Sequence, residues 1–291
     1  MPLVNMTEML QSAKRGQYAV ANLDAYNSDF LMGYIQAAER LRAPLIVAFV
    51  VPFSPICRFE WFADMTRRAA DQTPVPVALH LDHGRDIDEV MLAIRNGFTS
   101  VMVDGSRFEL EENIALTRRV VDLCKPLGIS VEAELGHVGG HTKHPYADSG
   151  DSLYTDVEEA ARFAGETGVD CLAVAIGTVH GVYKDEPRLG FDRLQALRAA
   201  VDTPFALHGC SGITEEDYQK VVRLGIQKMN VFTEIWYAMK RRMLDVLDRK
   251  MEIDDKAVSI INAIADAAEF RMRAIGSAGK AASCMGACDE V

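Results

Sequence analysis

The 291-residue chain contains no apolar run approaching the roughly 18 residues that a membrane helix needs, so a spanning role is not expected. It also lacks a basic excess. Thirty-one Lys and Arg stand against 42 Asp and Glu, a formal charge of −11. Binding to a polyanion or to an anionic membrane needs a positive face, so neither nucleic acid nor a membrane is an expected partner. The chain opens Met1-Pro2-Leu3-Val4-Asn5, with no basic segment leading into an apolar stretch, and a cytoplasmic location is the expectation. The six cysteines, Cys57, Cys124, Cys171, Cys210, Cys284 and Cys288, form no Cys-x-x-Cys pair. Reduced, mostly buried thiols are expected, and Cys284 with Cys288 supplies too few ligands for a metal site. Finally, no Gly-x-Gly-x-x-Gly follows the first apolar run, which disfavours an open dinucleotide-binding sheet.

What the chain does have is a repeating rhythm. Eight short apolar runs recur at 18–22, 44–49, 75–82, 100–104, 129–134, 171–176, 204–208 and 227–231. Near-continuous apolarity suits parallel strands covered on both faces. Helical patterns fill the intervals. Ser28 is positioned to cap a helix carrying Leu31, Tyr34, Ile35, Ala38 and Leu41 on one face, and Asn96-Gly97 closes another after Ile87, Val90, Met91 and Ile94. Thr155 with Glu158 reads as a capping box, and Thr214 begins a further helix that stops near Gly225. Eight strand–helix units in this length predict one (β/α)8 TIM barrel over residues 1–291, in the α/β class. Two segments break the rhythm. The polar, glycine-containing stretch 139–154 follows the fifth strand and is expected to be a mobile active-site loop. Residues 252–291 form a C-terminal extension whose helix, near 256–274, packs outside the barrel or joins a subunit interface.

All seven histidines lie between His80 and His208. His83, His180 and His208 fall at the C-terminal ends of the third, sixth and seventh strands, where barrel enzymes assemble their chemistry. Three imidazoles converging there suit a Zn²⁺ site with an open position. In Leu79-His80-Leu81-Asp82-His83-Gly84, alternation puts His80 and Asp82 on one face, and the turn at the strand end lets Asp82 and His83 both reach the mouth. Asp82 is then either a general base or a partner that orients a histidine, and His80 belongs to the interior. Asp104, Glu132 and Glu134 sit at or near other strand ends, as metal ligands or as ordinary caps and salt-bridge partners. Glycine-bearing turns at 177–184 and 209–212, with Lys184, Ser211 and Thr233, favour a phosphate.

These stretches resemble the class II, zinc-dependent fructose-bisphosphate and tagatose-bisphosphate aldolases. The resemblance rests on 77–84, Val103-Asp104-Gly105-Ser106, Glu132-Ala133-Glu134-Leu135-Gly136, 175–181, Leu207-His208-Gly209-Cys210-Ser211-Gly212 and 275–280, in order along nearly the whole chain. It implies that His83, His180 and His208 hold a catalytic zinc, and that Glu134 is the ligand of an alternative, inward zinc position. It implies Asp104 at a second, monovalent or divalent cation site. Asp82 would be the acid/base for the C4 hydroxyl. Gly181, Lys184, Gly209, Ser211 and Thr233 would cradle the ketose phosphate, and Asn230 and Asn22 would contact the substrate. A homodimer or homotetramer is implied as well.

The departures are equally specific. After Gly139-Gly140, where the family usually carries acidic residues, the loop reads His141-Thr142-Lys143-His144. Val50-Val51-Pro52 replaces the serine that ends strand two, and Phe232 follows Asn230-Val231. The expected reaction is therefore reversible retro-aldol cleavage of a phosphorylated ketose to dihydroxyacetone phosphate and an aldehyde other than glyceraldehyde 3-phosphate. His141, Lys143 and His144 either meet the aldehyde half as the loop closes or are simply solvated. The standard fructose- or tagatose-bisphosphate reaction is the alternative. A metal-dependent TIM-barrel hydrolase fits less well, because strand one offers only Asn22 and Asp24 in place of a His-x-His pair. A non-catalytic relative fits poorly with the retention of Asp82 and all three histidines.

Overall fold

A computed structural model describes residues 3–136, 138, 154–183 and 187–284. Eight parallel strands close in sequence order: β1 Val20–Asp24, β2 Leu45–Val50, β3 Val77–Gly84, β4 Ser100–Val103, β5 Ser130–Leu135, β6 Cys171–Val174, β7 Phe205–Leu207 and β8 Ile226–Asn230. The helices are α1 Met6–Gly16, α2 Ser28–Leu41, α3 Phe59–Gln72, α4 Ile87–Arg95, α5 Leu110–Cys124, α6 Val157–Thr167, α7 Phe191–Ala200, α8 Glu215–Arg223, α9 Thr233–Leu247 and α10 Ile253–Ala274. The (β/α)8 barrel and its additional C-terminal helix are as the sequence predicts.

The strands are apolar throughout because both faces are covered. Leu45, Val47 and Phe49 face the helical shell, while Ile46 points into the barrel. α10 lies outside the barrel against α2 and α9. Gly33 lets α2 and α10 approach closely, since a Cβ there would stand 2.6 Å from Cγ2 of Ile264. The chain then turns back, with the amides of Gly279 and Ala281 donating to the carbonyls of Leu41 and Arg42.

Three sequence expectations need correction. Ser28 is the first residue of α2, not its cap; the cap is Asn27, whose side chain accepts from the Phe30 amide at 3.1 Å. At α6 the cap is Asp156, which accepts from the amides of Glu158 and Glu159. Thr155 is engaged elsewhere: its hydroxyl donates to the Leu135 carbonyl and accepts from the Ala175 amide, tying the ends of β5 and β6 together. The third correction is α1, which the strand–helix rhythm does not include. Its Met6, Met9, Leu10 and Ala13 recur at helical spacing and pack on Val20, Ile46, Ala78, Met102, Ala173 and Ala206, plugging the N-terminal end of the barrel. Above that apolar floor the interior turns polar. Asn22, His80, Glu132 and Lys228 are all fully buried there, beneath the C-terminal mouth.

Candidate active site

The end of β3 departs from simple alternation. His83 adopts φ 50°, a left-handed conformation uncommon for a side-chain-bearing residue, and the β3–β4 register shifts between Leu81 and Gly84. The kink turns His83 toward the mouth beside Asp82. His83 then meets His180 and His208, with ring centroids 5.1 and 4.8 Å away and 5.9 Å between the latter two. One nitrogen from each of the three rings lies within 4.8 Å of the others.

The far sides of two of these rings are tied to carboxylates. Nδ1 of His83 is 2.8 Å from Asp104, and Nε2 of His208 is 2.9 Å from Glu132. Carboxylates accept hydrogen bonds, so each of those nitrogens carries the proton and each ring directs its other nitrogen inward. Nε2 of His83 and Nδ1 of His208 therefore face each other at 3.0 Å. Two facing lone pairs at that distance require a proton or a cation between them. With His180 adjacent, the donor set fits a tetrahedral, nitrogen-preferring metal such as zinc. Asp104 also accepts from the amide and hydroxyl of Ser106, so in this arrangement it mainly orients His83. Asp104 and Glu134 form a second convergent group with His83.

The carboxylates are driven apart in acidity. Burial alone would raise the Asp82 pKa, but neighbouring His83, His208 and Lys228 outweigh it and hold the carboxyl well below the usual range. Asp82 is therefore ionised, and it accepts from the Asn230 amide through both oxygens at 3.1 and 3.2 Å. Burial likewise opposes ionisation of Glu132, yet Lys228 and the His208 hydrogen bond bring it to about 2. Glu134 moves the other way, to about 8, through burial and the charge of Asp104. Burial, with repulsion from His83 and His208, lowers His180 to about 3. Such divergence among close groups marks a site able to hold an ionised base beside neutral donors.

His80 supplies a test of the interior. It is wholly buried, bonded through Nδ1 to Ser100 at 2.7 Å, and burial with the Lys228 charge lowers its pKa from 6.5 to about 3. The folded chain thus resists a proton that the unfolded chain accepts. This contribution to stability is complete above about pH 6.5 and is lost as pH falls toward 3, by a few kcal/mol. Urea midpoints at pH 7, 5 and 4 should fall steeply in the wild type and less so in His80→Gln; equal slopes would contradict the assignment.

The turns after β6, β7 and β8 form one side of the mouth. Gly209 has φ 67°, and a Cβ there would lie 2.6 Å from the Val179 carbonyl oxygen, so only glycine lets these two turns pack. Tyr183 clasps them, donating to the Gly209 carbonyl and accepting from the Val179 amide. Gly181 lies in the first of these turns. Ser211 accepts from the Glu234 amide at 3.3 Å, and α9 begins at Thr233 with no side-chain cap, leaving amides directed at this corner. Glu234 is paired with Arg271, which offsets its negative charge. Lys184 and the loop residues His141, Lys143 and His144 lie outside the described residues.

The adjoining side, from the end of β8 across β1 and β2, is different. Tyr26, Phe53 and Phe232 form an aromatic cluster, with centroids 5.1 Å (Tyr26–Phe53), 5.5 Å (Phe53–Phe232) and 6.3 Å (Tyr26–Phe232). Between 20 and 27 and between 45 and 57 the single charged residue is Asp24. Its pKa is raised well above the usual range by burial and by Asp82, and its buried Oδ1 has no partner among the described residues. Asn22 lies one level deeper, its amide fully buried and likewise unpartnered. Sequence reasoning did not single out Lys228, although a lysine inside an otherwise apolar barrel strand, two residues before Asn230, is the signal that could have done so.

Comparison with known proteins agrees with this geometry. A profile of the family described as class II fructose-bisphosphate aldolase matches residues 4–280. The 6-phospho-5-dehydro-2-deoxy-D-gluconate aldolase of Halalkalibacterium halodurans is 39% identical over 289 residues, covering 97% of this chain and 99% of that protein. The crystal structure of the YdjI aldolase from Escherichia coli K12 superposes with a TM-score of 0.87 at 38% identity, covering 96% and 99% of the two chains. A structure described as a putative fructose-1,6-biphosphate aldolase from Coccidioides immitis gives a TM-score of 0.84 at 31% identity, covering 94% and 96%. The chain belongs to the class II fructose-bisphosphate aldolase family and is an aldolase, a carbon–carbon lyase.

Proposed function

We propose that this aldolase is zinc-dependent and reversibly cleaves a singly phosphorylated ketose to dihydroxyacetone phosphate and an aldehyde other than glyceraldehyde 3-phosphate. The observation that carries the reading is the convergence of His83, His180 and His208 beside an ionised Asp82. These three imidazoles would hold the zinc, with Glu134 as ligand of an alternative inward position and Asp104 near a second monovalent or divalent cation. Bound there, zinc would supply a Lewis acid that offsets the negative charge developing on the ketose C2 oxygen. Asp82 takes the proton of the C4 hydroxyl. The electrons of the C3–C4 bond pass to C3, C4 leaves as the aldehyde carbon, and C3 then takes up a proton from water to complete dihydroxyacetone phosphate while Asp82 returns its proton to solvent. In condensation Asp82 returns a proton to the C4 oxygen. Asn230 holds Asp82 in place and, with Asn22, faces the substrate hydroxyls. The phosphate rests on Gly181, Lys184, Gly209, Ser211 and Thr233.

With the phosphate at the β7–β8 corner and C4 at Asp82, the aldehyde half extends toward β1 and β2. There it meets Asp24, Val50 and the aromatic cluster, an acidic and apolar surface ill-suited to a second phosphate. Placing a dianion near the ionised Asp82, on a side where Asp24 is held neutral and no cation among the described residues offsets it, costs like-charge repulsion of several kcal/mol. The halodurans relative, named for a substrate with one phosphate, supports this breadth. His141, Lys143 and His144 are assigned as loop contacts to the same half. Exposed Leu244, Leu247, Ile253 and Val258 at the α9–α10 hairpin support a homodimer or homotetramer. The charge of −11 supports the absence of a nucleic-acid or membrane partner, and the location we assign is cytoplasmic.

The test is dihydroxyacetone-phosphate release from ketose 1-phosphates and 1,6-bisphosphates, with and without chelator. Singly phosphorylated ketoses should be preferred in kcat/KM by about tenfold or more. A preference for fructose or tagatose 1,6-bisphosphate would return the protein to the standard reaction.

A further inference from the structure

We propose that Lys228 is a positioning residue for both halves of the catalytic apparatus, setting His208 through Glu132 and Asp82 through Asn230. Lys228 is fully buried in β8, behind Glu132 and Asn230 rather than at the mouth, and would not itself meet substrate. Its ammonium lies 3.1 and 3.0 Å from the two oxygens of Glu132 and donates to Oδ1 of Asn230 at 2.7 Å. Each contact has a directional consequence. The same Glu132 oxygen that meets Lys228 lies 2.9 Å from Nε2 of His208. Glu132 therefore remains a hydrogen-bond acceptor, and His208 must present Nδ1 to the mouth. An ammonium has no acceptor site, so the Asn230 oxygen faces Lys228 and its NH₂ group faces Asp82. Both oxygens of Asp82 receive that NH₂ group. One buried charge thus sets a ring orientation and an amide orientation at the mouth above it.

Without the ammonium, the Asn230 oxygen loses its buried donor, and only the bonds to Asp82 would still orient the amide, so its hold on the carboxylate loosens. Glu132 would retain a buried charge with no cation beside it among the described residues, its neighbours being the His208 and His80 rings and the Cys171 thiol. Its Oε2 lies 3.8 Å from Nε2 of His80, too long for a hydrogen bond. The depth of Lys228 makes this arrangement rigid, because bulk solvent does not reach its donors.

The kinetic arm of the test rests on the aldolase reading, whereas the zinc-affinity and stability arms need no substrate. Lys228→Met is expected to weaken zinc, measured by competition with a chromophoric chelator, by about 10- to 100-fold. It should lower kcat by a similar factor with KM within about threefold, the pattern of a disturbed transition state rather than lost substrate binding. The double variant Lys228→Met/Glu132→Gln removes both buried charges and should recover the melting temperature. Its kcat should stay depressed by about tenfold or more, because the Asn230 amide still lacks its anchor. A single variant with wild-type zinc affinity and kcat would overturn the proposal. So would a double variant that regains kcat along with stability, since Lys228 would then act only by neutralising Glu132. If the wild type released no dihydroxyacetone phosphate from any ketose, the proposed reaction would fail, and zinc affinity alone would decide the role of Lys228.

Discussion

Asp82→Asn should lower kcat for ketose cleavage by about 10³-fold while the protein still binds one zinc ion per chain. The substitution is nearly isosteric; it removes the charge and the ability to take a proton and leaves one oxygen to accept from Asn230. Asp82 is ionised and sits at the end of β3 beside the three imidazoles, yet its hydrogen bonds go to Asn230 rather than to any of those rings. The other carboxylates are poorly placed to replace it. Glu132 is sealed beneath the mouth, Asp104 is engaged by His83 and Ser106, and Glu134 is held as the neutral acid near pH 7. Zinc content by metal analysis, together with single-turnover cleavage, checks both arms. Loss of zinc would demote Asp82 to a group that orients the ligands, and a residual rate within tenfold of wild type would place the base elsewhere.

Metal removal should have an effect of similar or greater size. Dialysis against a strong chelator is expected to reduce dihydroxyacetone-phosphate release by about 10³-fold or more, with recovery on adding Zn²⁺. The reason lies in the backs of the rings. His83 is held by Asp104 and His208 by Glu132, so their free nitrogens converge at 3.0 Å. Weakening one of these supports should weaken the metal itself: Asp104→Asn should raise the zinc dissociation constant by about 10- to 100-fold. Full activity after complete metal depletion would rule out the zinc-dependent reading.

Much of this molecule was legible in its linear order. The eight strands could be read because parallel barrel strands are apolar on both faces, and the helices because their buried positions recur every three to four residues. Helix ends were less legible. Asn27 and Ser28 are both good caps, as are Thr155 and Asp156, and only packing at the ends of β5 and β6 drew the Thr155 hydroxyl away from α6. α1 carried its own pattern in Met6, Met9, Leu10 and Ala13, but its role as a plug depends on a barrel floor assembled from six strands.

The sequence by itself determined the class of the protein: a (β/α)8 chain with His83, His180 and His208 at strand ends and Asp82 beside the first of them. Those features are local, set by strand periodicity and by residue type at the strand termini. Only the tertiary structure decided how they work together. Closing the barrel brought Lys228 of β8 against Glu132 of β5, although the two are 96 residues apart in the chain. It turned Asp104 onto the back of His83 and gathered Tyr26, Phe53 and Phe232 beside the ends of β1 and β2. Pairings between distant strands depend on barrel closure and on which face each strand turns inward. Buried charges must also find partners wherever closure places them, and neither condition is written at any single position in the chain.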